Sequence, residues 1–412
     1  MNEICNNILS HYLESSRFNG TQIDGSWDHS VIRSHIESGI LEVVGPGMFP
    51  NPYIKPFSGV PIERQLQEFD SRADDCCLYP GRSLLEETVK DSSYEGRPYT
   101  KRVALGGGQL DGVYFDISVL EQYRNDPRYY YWADDINGQV CIKDEHYESG
   151  EVDERDKVLL ETFGFGFNES YERCVVSLLW YISTLNREHQ QIWAAKELLG
   201  GDFKMHPDYY RNNIIGDWGE RLPVCEAFVM ELSLINEMAN KIKSENLFRK
   251  DYSGARPKEF AFLIRPTLSA FNSFVLLLDQ MMSDNINKKF FDGEVAGDYD
   301  HVRDDGKIEV RKKGTIAILE EWIDRFFRPQ DDSPINEMKA TFRKVRKLRQ
   351  KPAHSVQEDV FDQKYIREQR QLILDAYGAI RTLRQILANH PKVKANPPDI
   401  SEQLWNGEIW SM

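Results

Sequence analysis

Arg349 and His354 stand five positions apart at the end of the most basic run in the chain, Phe342-Arg343-Lys344-Val345-Arg346-Lys347-Leu348-Arg349-Gln350-Lys351-Pro352-Ala353-His354. Their side chains are complementary in chemistry. A guanidinium presents a rigid fork of donors that fits a phosphate, and an imidazole is the side chain best suited to moving protons near neutral pH. Arg346, Lys347, Gln350 and Lys351 flank the pair and are candidate substrate contacts, the cations along a phosphate backbone with salt-sensitive binding. Taken singly, each of these flanking residues also reads as part of a solvated helix face.

The element that must position them is a helix over 334–350. With roughly 100° per residue and Met338 at zero, Phe342, Val345, Leu348 and Ile335 fall on one apolar stripe. Lys344, Lys347 and Lys351 point away from it. Arg349 falls inside the stripe and Arg346 on its edge, where a charge is costly unless something pairs with it. Two readings follow for Arg349: an ion pair with an acidic residue of a neighbouring helix, or a guanidinium held at a cleft or dimer seam. Pro352 removes a backbone donor and disfavours helix at Lys351, so His354 is expected to open a new segment close to Arg349.

Long amphipathic helices are expected on both sides, over 224–246, 258–282, 313–327 and 362–389, with Pro266 kinking or restarting the second. A β-hairpin interrupts them, His301-Val302-Arg303 and Ile308-Glu309-Val310 around Asp304-Asp305-Gly306-Lys307. An arginine five residues before a histidine in this helical setting resembles the Arg-x4-6-His motif of HEPN domains, all-helical domains of many prokaryotic toxin, abortive-infection, antiviral-defence and CRISPR-associated ribonucleases. The resemblance covers roughly 221–390 and departs from the family at Gln350, where a small polar residue such as asparagine is common. It implies metal-independent RNA cleavage by attack of the ribose 2′-hydroxyl, without a cofactor. His354 would act as general base or acid and Arg349 would hold the scissile phosphate. It also implies a homodimer, since the family's sites usually form across two copies. HEPN-like domains without catalysis act as dimerisation or binding modules in defence or regulatory complexes. In that alternative Arg349 is a structural ion-pair residue and His354 a helix-start residue.

The rest of the chain is organised differently. Residues 1–150 read as a mixed α/β region that would sense or bind a trigger, with helices over 2–16, 28–38, 62–70 and 83–90. Strands are expected at 102–105 and 112–115, flanking Gly106-Gly107-Gly108, and at 129–132 and 139–142, flanking Asn137-Gly138. The glycine run lacks a Gly-Lys-Ser/Thr ending and reads as a turn rather than a phosphate loop. The aromatic run Tyr129-Tyr130-Tyr131-Trp132 suits base stacking or, more ordinarily, the faces of a strand. A charged stretch at 147–156 marks a boundary, 151–220 reads as a helical connector with helices over 169–184 and 187–199, and 391–412 as a tail. The expected class is α+β, predominantly helical, a mixed α/β region followed by an all-helical bundle with a hairpin insertion.

Composition narrows the function classes. The 412 residues carry a formal net charge of −15, which excludes a general nucleic-acid coat and confines any RNA contact to the local basic patch at 343–351. No run is apolar enough to span a membrane and no charged-then-apolar leader is present, so a cytoplasmic protein is expected, with a regulatory protein partner possible. The six cysteines lack metal-site spacing and are expected as reduced thiols. Asp298, Asp300, Glu309 and Arg311 faintly resemble the Asp…Glu-x-Lys pattern of metal-dependent restriction-type nucleases, where carboxylates would hold Mg²⁺.

Overall fold

The computed structural model describes residues 3–150, 152–169, 172–217, 221–254, 256–350 and 358–410. The chain divides into two compact units, one of residues 1–132 and 137–217, the other of 133–136 and 218–412. The class is α+β, with mixed α/β structure in the N-terminal part and a largely helical C-terminal part. No helix among the described residues is long and apolar enough to cross a membrane. Helices of eight or more residues are numbered below.

In the N-terminal unit, α1 (Glu3–Glu14), α2 (His29–Glu37) and α3 (Ile62–Arg72) accompany a small antiparallel sheet of β1 (Thr21–Gln22), β2 (Leu41–Val44) and β3 (Cys77–Pro80), ordered β1-β3-β2. The larger sheet comprises β4 (Gly112–Phe115), β5 (Tyr129–Ala133), β6 (Asn137–Ile142), β7 (Leu159–Phe167) and β8 (Arg173–Leu178) in the order β4-β8-β7-β6-β5, with β9 (Lys204–Met205) pairing β7. A further helix of this unit is α4 (Arg187–Ala194).

Three expectations fail here, each for a physical reason. Residues 102–105 are not a strand: Pro98 opens a helix, Pro98–Ala104, whose Tyr99 and Val103 bury one turn apart, and the glycines end it through Gly106 N–H to Val103 O and Gly107 N–H to Arg102 O. The 151–220 connector is only partly helical: Leu179–Ile182 and Arg187–Ala194 are helices, but β7, β8 and β9 of the larger sheet also fall in it. Arg173–Leu178 is a central strand whose continuous apolar run, Cys174 to Leu178 all buried, carries neither period. The chain turns at 134–136, before Asn137-Gly138, with Ile136 N–H bonded to Asp134 Oδ1 at 2.7 Å. Gly138 instead lies within β6, where a Cβ would fall 2.4 Å from the Phe163 ring.

The C-terminal unit is built on α5 (Val224–Lys243), α6 (Leu268–Met282), α7 (Thr315–Phe326), α8 (Ser333–Gln350) and α9 (Lys364–Ala388). Helix α9 packs along α5 and α8, and α8 along α6. Of the expected 258–282 helix only the part after Pro266 forms, restarted by Thr267, whose hydroxyl accepts from Ala270 N–H. The tail docks: β10 (Leu222–Pro223) pairs in parallel with Ile409–Trp410, and Leu404 is buried. The hairpin is present as β11 (Asp298–Val302) and β12 (Ile308–Lys312).

Two buried histidines, His189 and His206, give the N-terminal unit a pH signature, since burial pushes both below their ordinary value. The Tyr123 hydroxyl accepts from Trp193 Nε1 at 3.0 Å and shares a hydrogen bond of 2.7 Å with His189 Nδ1. Burial pushes His189 below its ordinary 6.5. The unfolded chain then binds the proton first as pH falls, so this contribution is whole above that ordinary value and is lost below it. Thermal unfolding followed from about pH 7 to about pH 5 should show the N-terminal unit's midpoint falling, and His189→Gln should weaken that dependence, leaving the part due to His206.

Candidate functional site

The helix that carries Arg349 lies where its stripe dictates. Ile335, Met338, Phe342 and Val345 are buried, Leu348 is half-buried against the same core, and Lys344 and Lys347 face solvent. Arg346 and Arg349 sit one turn apart at the border of that stripe, and both reach the C-terminal end of α6.

That end of α6 is built to concentrate negative charge. Asp279 occupies its last turn, among the buried Val275, Leu278 and Met282, and is itself fully buried. Its carbonyl accepts from Ser283 N–H at 2.8 Å and Asp284 N–H at 3.1 Å, which folds Asp284 back beside it. Asn285 pins the turn: its Oδ1 accepts from Lys250 N–H, and its Nδ2 donates to Lys250 O and Met281 O. Two carboxylates therefore stand at the negative pole of a helix.

The two arginines meet them as a closed set. Arg346 donates through Nε to Asp279 Oδ1 (3.0 Å) and through Nη2 to Asp284 Oδ1 (2.7 Å). Arg349 donates through Nη1 to Asp279 Oδ2 (2.6 Å) and to Asp284 Oδ2. Two cations face two anions, so the cluster is neutral. Both Asp279 oxygens are occupied, which a buried carboxylate requires. The bond to Asp279 holds the Arg349 guanidinium above its ordinary range, against the opposing effect of burial. The arginine side chains remain 29% and 31% exposed and Asp284 40%, so the cluster opens to solvent on the side away from Asp279.

Chemically this arrangement holds helices together before it holds a substrate. A phosphate approaching Arg349 meets two carboxylates already bound to it. Among the described residues the contacts of Arg349 run through Nη1, which leaves Nε and Nη2 as its remaining donors. Lys347 and Gln350 are exposed. His354 and Lys351 lie outside the described residues. The structure thus joins Arg346 and Arg349 and adds Asp279 and Asp284, which sequence reasoning missed. The signal was present: Asp279 falls four residues after Val275 and eight after Phe271, inside an apolar helical stripe.

The other motifs separate from this cluster. In the hairpin Asp300 opposes Val310 while Glu309 opposes His301, so the two carboxylates project from opposite faces and cannot share one Mg²⁺. Glu309 pairs instead with Arg311 at 3.0 Å. Among the described residues no group of three His, Cys, Asp or Glu side chains is placed to hold a metal ion. Tyr129 and Tyr131 are buried strand residues, and of the aromatic run Tyr130 alone is well exposed. No family model, no curated protein and no solved structure matches the chain.

A second buried ion pair, Arg384 Nε to Glu231 Oε2 at 2.5 Å, ties α9 to α5, with both side chains almost wholly buried. Burial pushes the Glu231 carboxyl up while Arg384 pulls it back.

The α6–α8 cluster should behave as one unit in mutagenesis. Arg346→Ala or Arg349→Ala alone leaves Asp279 with one cation and should cost about 1.5–3 kcal/mol. The double variant strands a buried carboxylate and should cost more than the sum of the singles. Denaturant unfolding followed in the C-terminal unit measures both.

Proposed function

We propose that the C-terminal helical unit is a non-catalytic association module of HEPN-like organisation, in which Arg349 is a structural ion-pair residue. The observation that carries this reading is the neutral set of Arg346, Arg349, Asp279 and Asp284. Both carboxylates engage the guanidinium that phosphate recognition would need free. The partner is a second copy of the chain. The hairpin supplies the surface: Val302, Ile308 and Val310 lie on one of its faces, 64–67% exposed, and exposed apolar strand residues of this kind favour pairing.

A second reading, RNA cleavage by Arg349 and His354, is favoured by a different observation. Arg349 is about a third exposed and keeps donors beyond Nη1. In that reading substrate phosphate would bind the open edge of the guanidinium while the aspartates fix the other.

Two measurements separate the readings. Sedimentation of the full chain should show concentration-dependent dimers that Val302→Asp with Val310→Asp disrupts while the fold, read by circular dichroism, stays intact. RNA incubated with the protein in excess EDTA should stay whole. Cleavage that survives chelation and disappears in folded Arg349→Lys and His354→Ala variants would establish the ribonuclease reading and overturn the proposal, as would a chain that stays monomeric at all concentrations.

A further inference from the structure

A cavity of about 710 Å³ in the N-terminal unit is out of character with the acidic chain around it. Its volume falls within the range of about 300–1,000 Å³ typical of small-molecule sites. Three arginines, Arg17, Arg97 and Arg187, line it, against a single carboxylate, Glu95. Local charge is therefore positive in a chain of net −15.

The state of these arginines is what points to a ligand. Arg187 stands 3.8 Å from Glu95, a loose pair with both side chains more than half exposed. Among the described residues, Arg17 and Arg97 form no ion pair with any carboxylate. Arg97 donates through Nη2 to Ser93 O at 3.1 Å, within its own loop. The Arg17 guanidinium carbon sits over the Trp180 ring, 5.0 Å from its centre. In a protein with 66 acidic residues against 51 lysines and arginines, two guanidinia free of carboxylates at one cavity are donors kept for an external anion.

The backbone holds them in place. Gln109 is buried; it donates from Nε2 to Arg17 O at 2.6 Å and accepts at Oε1 from Lys55 N–H at 2.8 Å, which anchors the Arg17 segment. Gly96 has φ of +74° and packs so closely that a Cβ would lie 2.5 Å from Arg187 Nε. That contact seats the Arg187 side chain against the loop that carries Arg97. The hydroxyls of Ser92 and Ser93 line the same wall.

We propose that this cavity binds a nucleoside phosphate, with Arg97 and Arg187 on the phosphates and the base on the Arg17–Trp180 stack. A planar base fits an arginine–tryptophan surface through its π face. The phosphates take the bidentate donors, and the serine hydroxyls add neutral hydrogen bonds. The site lies wholly in the N-terminal unit and stands apart from the reading of the helical unit.

Isothermal titration of the full chain tests this, with ATP, GTP, CTP and UTP, inorganic triphosphate and adenosine as separate titrants, in low salt and EDTA. At least one nucleotide should bind in the micromolar range and weaken as salt rises. Adenosine and inorganic triphosphate should each bind about tenfold or more less tightly, since each offers half of the recognition. Arg17→Ala with Arg97→Ala should lower nucleotide affinity at least about tenfold without altering circular dichroism. Arg343→Ala, on an exposed face of α8, should leave it unchanged. No binding of any nucleotide at millimolar concentration, or binding insensitive to the Arg17/Arg97 pair, overturns the site. Inorganic triphosphate binding as tightly as the best nucleotide overturns the assignment of the base to the Arg17–Trp180 stack.

Discussion

A carboxylate with no access to water governs the C-terminal unit. Moving an ion of that size out of water costs several kcal/mol even after relaxation, and Asp279 is fully buried. The charge is tolerable because both oxygens accept from guanidinia on the facing helix. That requirement fixes how α8 lies against α6: its register must place two arginines one turn apart at the last turn of α6. The apolar stripe of α8 could slide along its partner at modest cost, but the charges cannot. Arg384 and Glu231 impose a similar constraint between α9 and α5, so the ionic contacts specify which helix faces meet while the apolar core supplies the bulk of the driving force.

The same cluster underlies the function we propose for the unit. An active-site arginine gains from being held in place, since preorganisation lowers the cost of binding charge in the transition state. It also needs unspent positive charge. Here two cations are matched by two anions, and the helix end adds further negative potential. That balance favours a scaffold that presents surfaces over one that polarises a phosphate. In the N-terminal unit the balance is opposite: Arg17 and Arg97 lie at a cavity without carboxylate partners.

The helical half was largely legible in the sequence because its signal is periodic. The stripe of Ile335, Met338, Phe342 and Val345 is buried as its spacing requires, and α5, α7 and α9 form within a few residues of their expected limits. What failed was context. Cys174 to Leu178 is apolar without a period, and only the strands on either side make it a strand. In β7, Gly164 and Gly166 interrupt the apolar residues and hide the strand. Gly164 is required by Tyr209, whose ring would lie 2.3 Å from a Cβ there. The position of Arg349 inside an apolar stripe announced a partner, and Asp279 inside another announced the same need. Their meeting depends on how the two helices pack, which neither pattern encodes alone. The cavity around Arg17, Arg97 and Arg187 joins segments nearly 170 residues apart in the chain, and no local motif links them.

The central claim is that Arg349 is bound to Asp279 as part of the structure. A double-mutant cycle of Arg349→Ala and Asp279→Ala, read by denaturant unfolding of the full chain through a probe in the C-terminal unit, tests it most directly. The account predicts a coupling of about 1.5–3 kcal/mol, with the single arginine variant destabilised and the double variant recovering part of the loss. A coupling near zero, with Arg349→Ala as stable as the parent chain, would contradict it and return Arg349 to the solvent-facing role of a catalytic guanidinium.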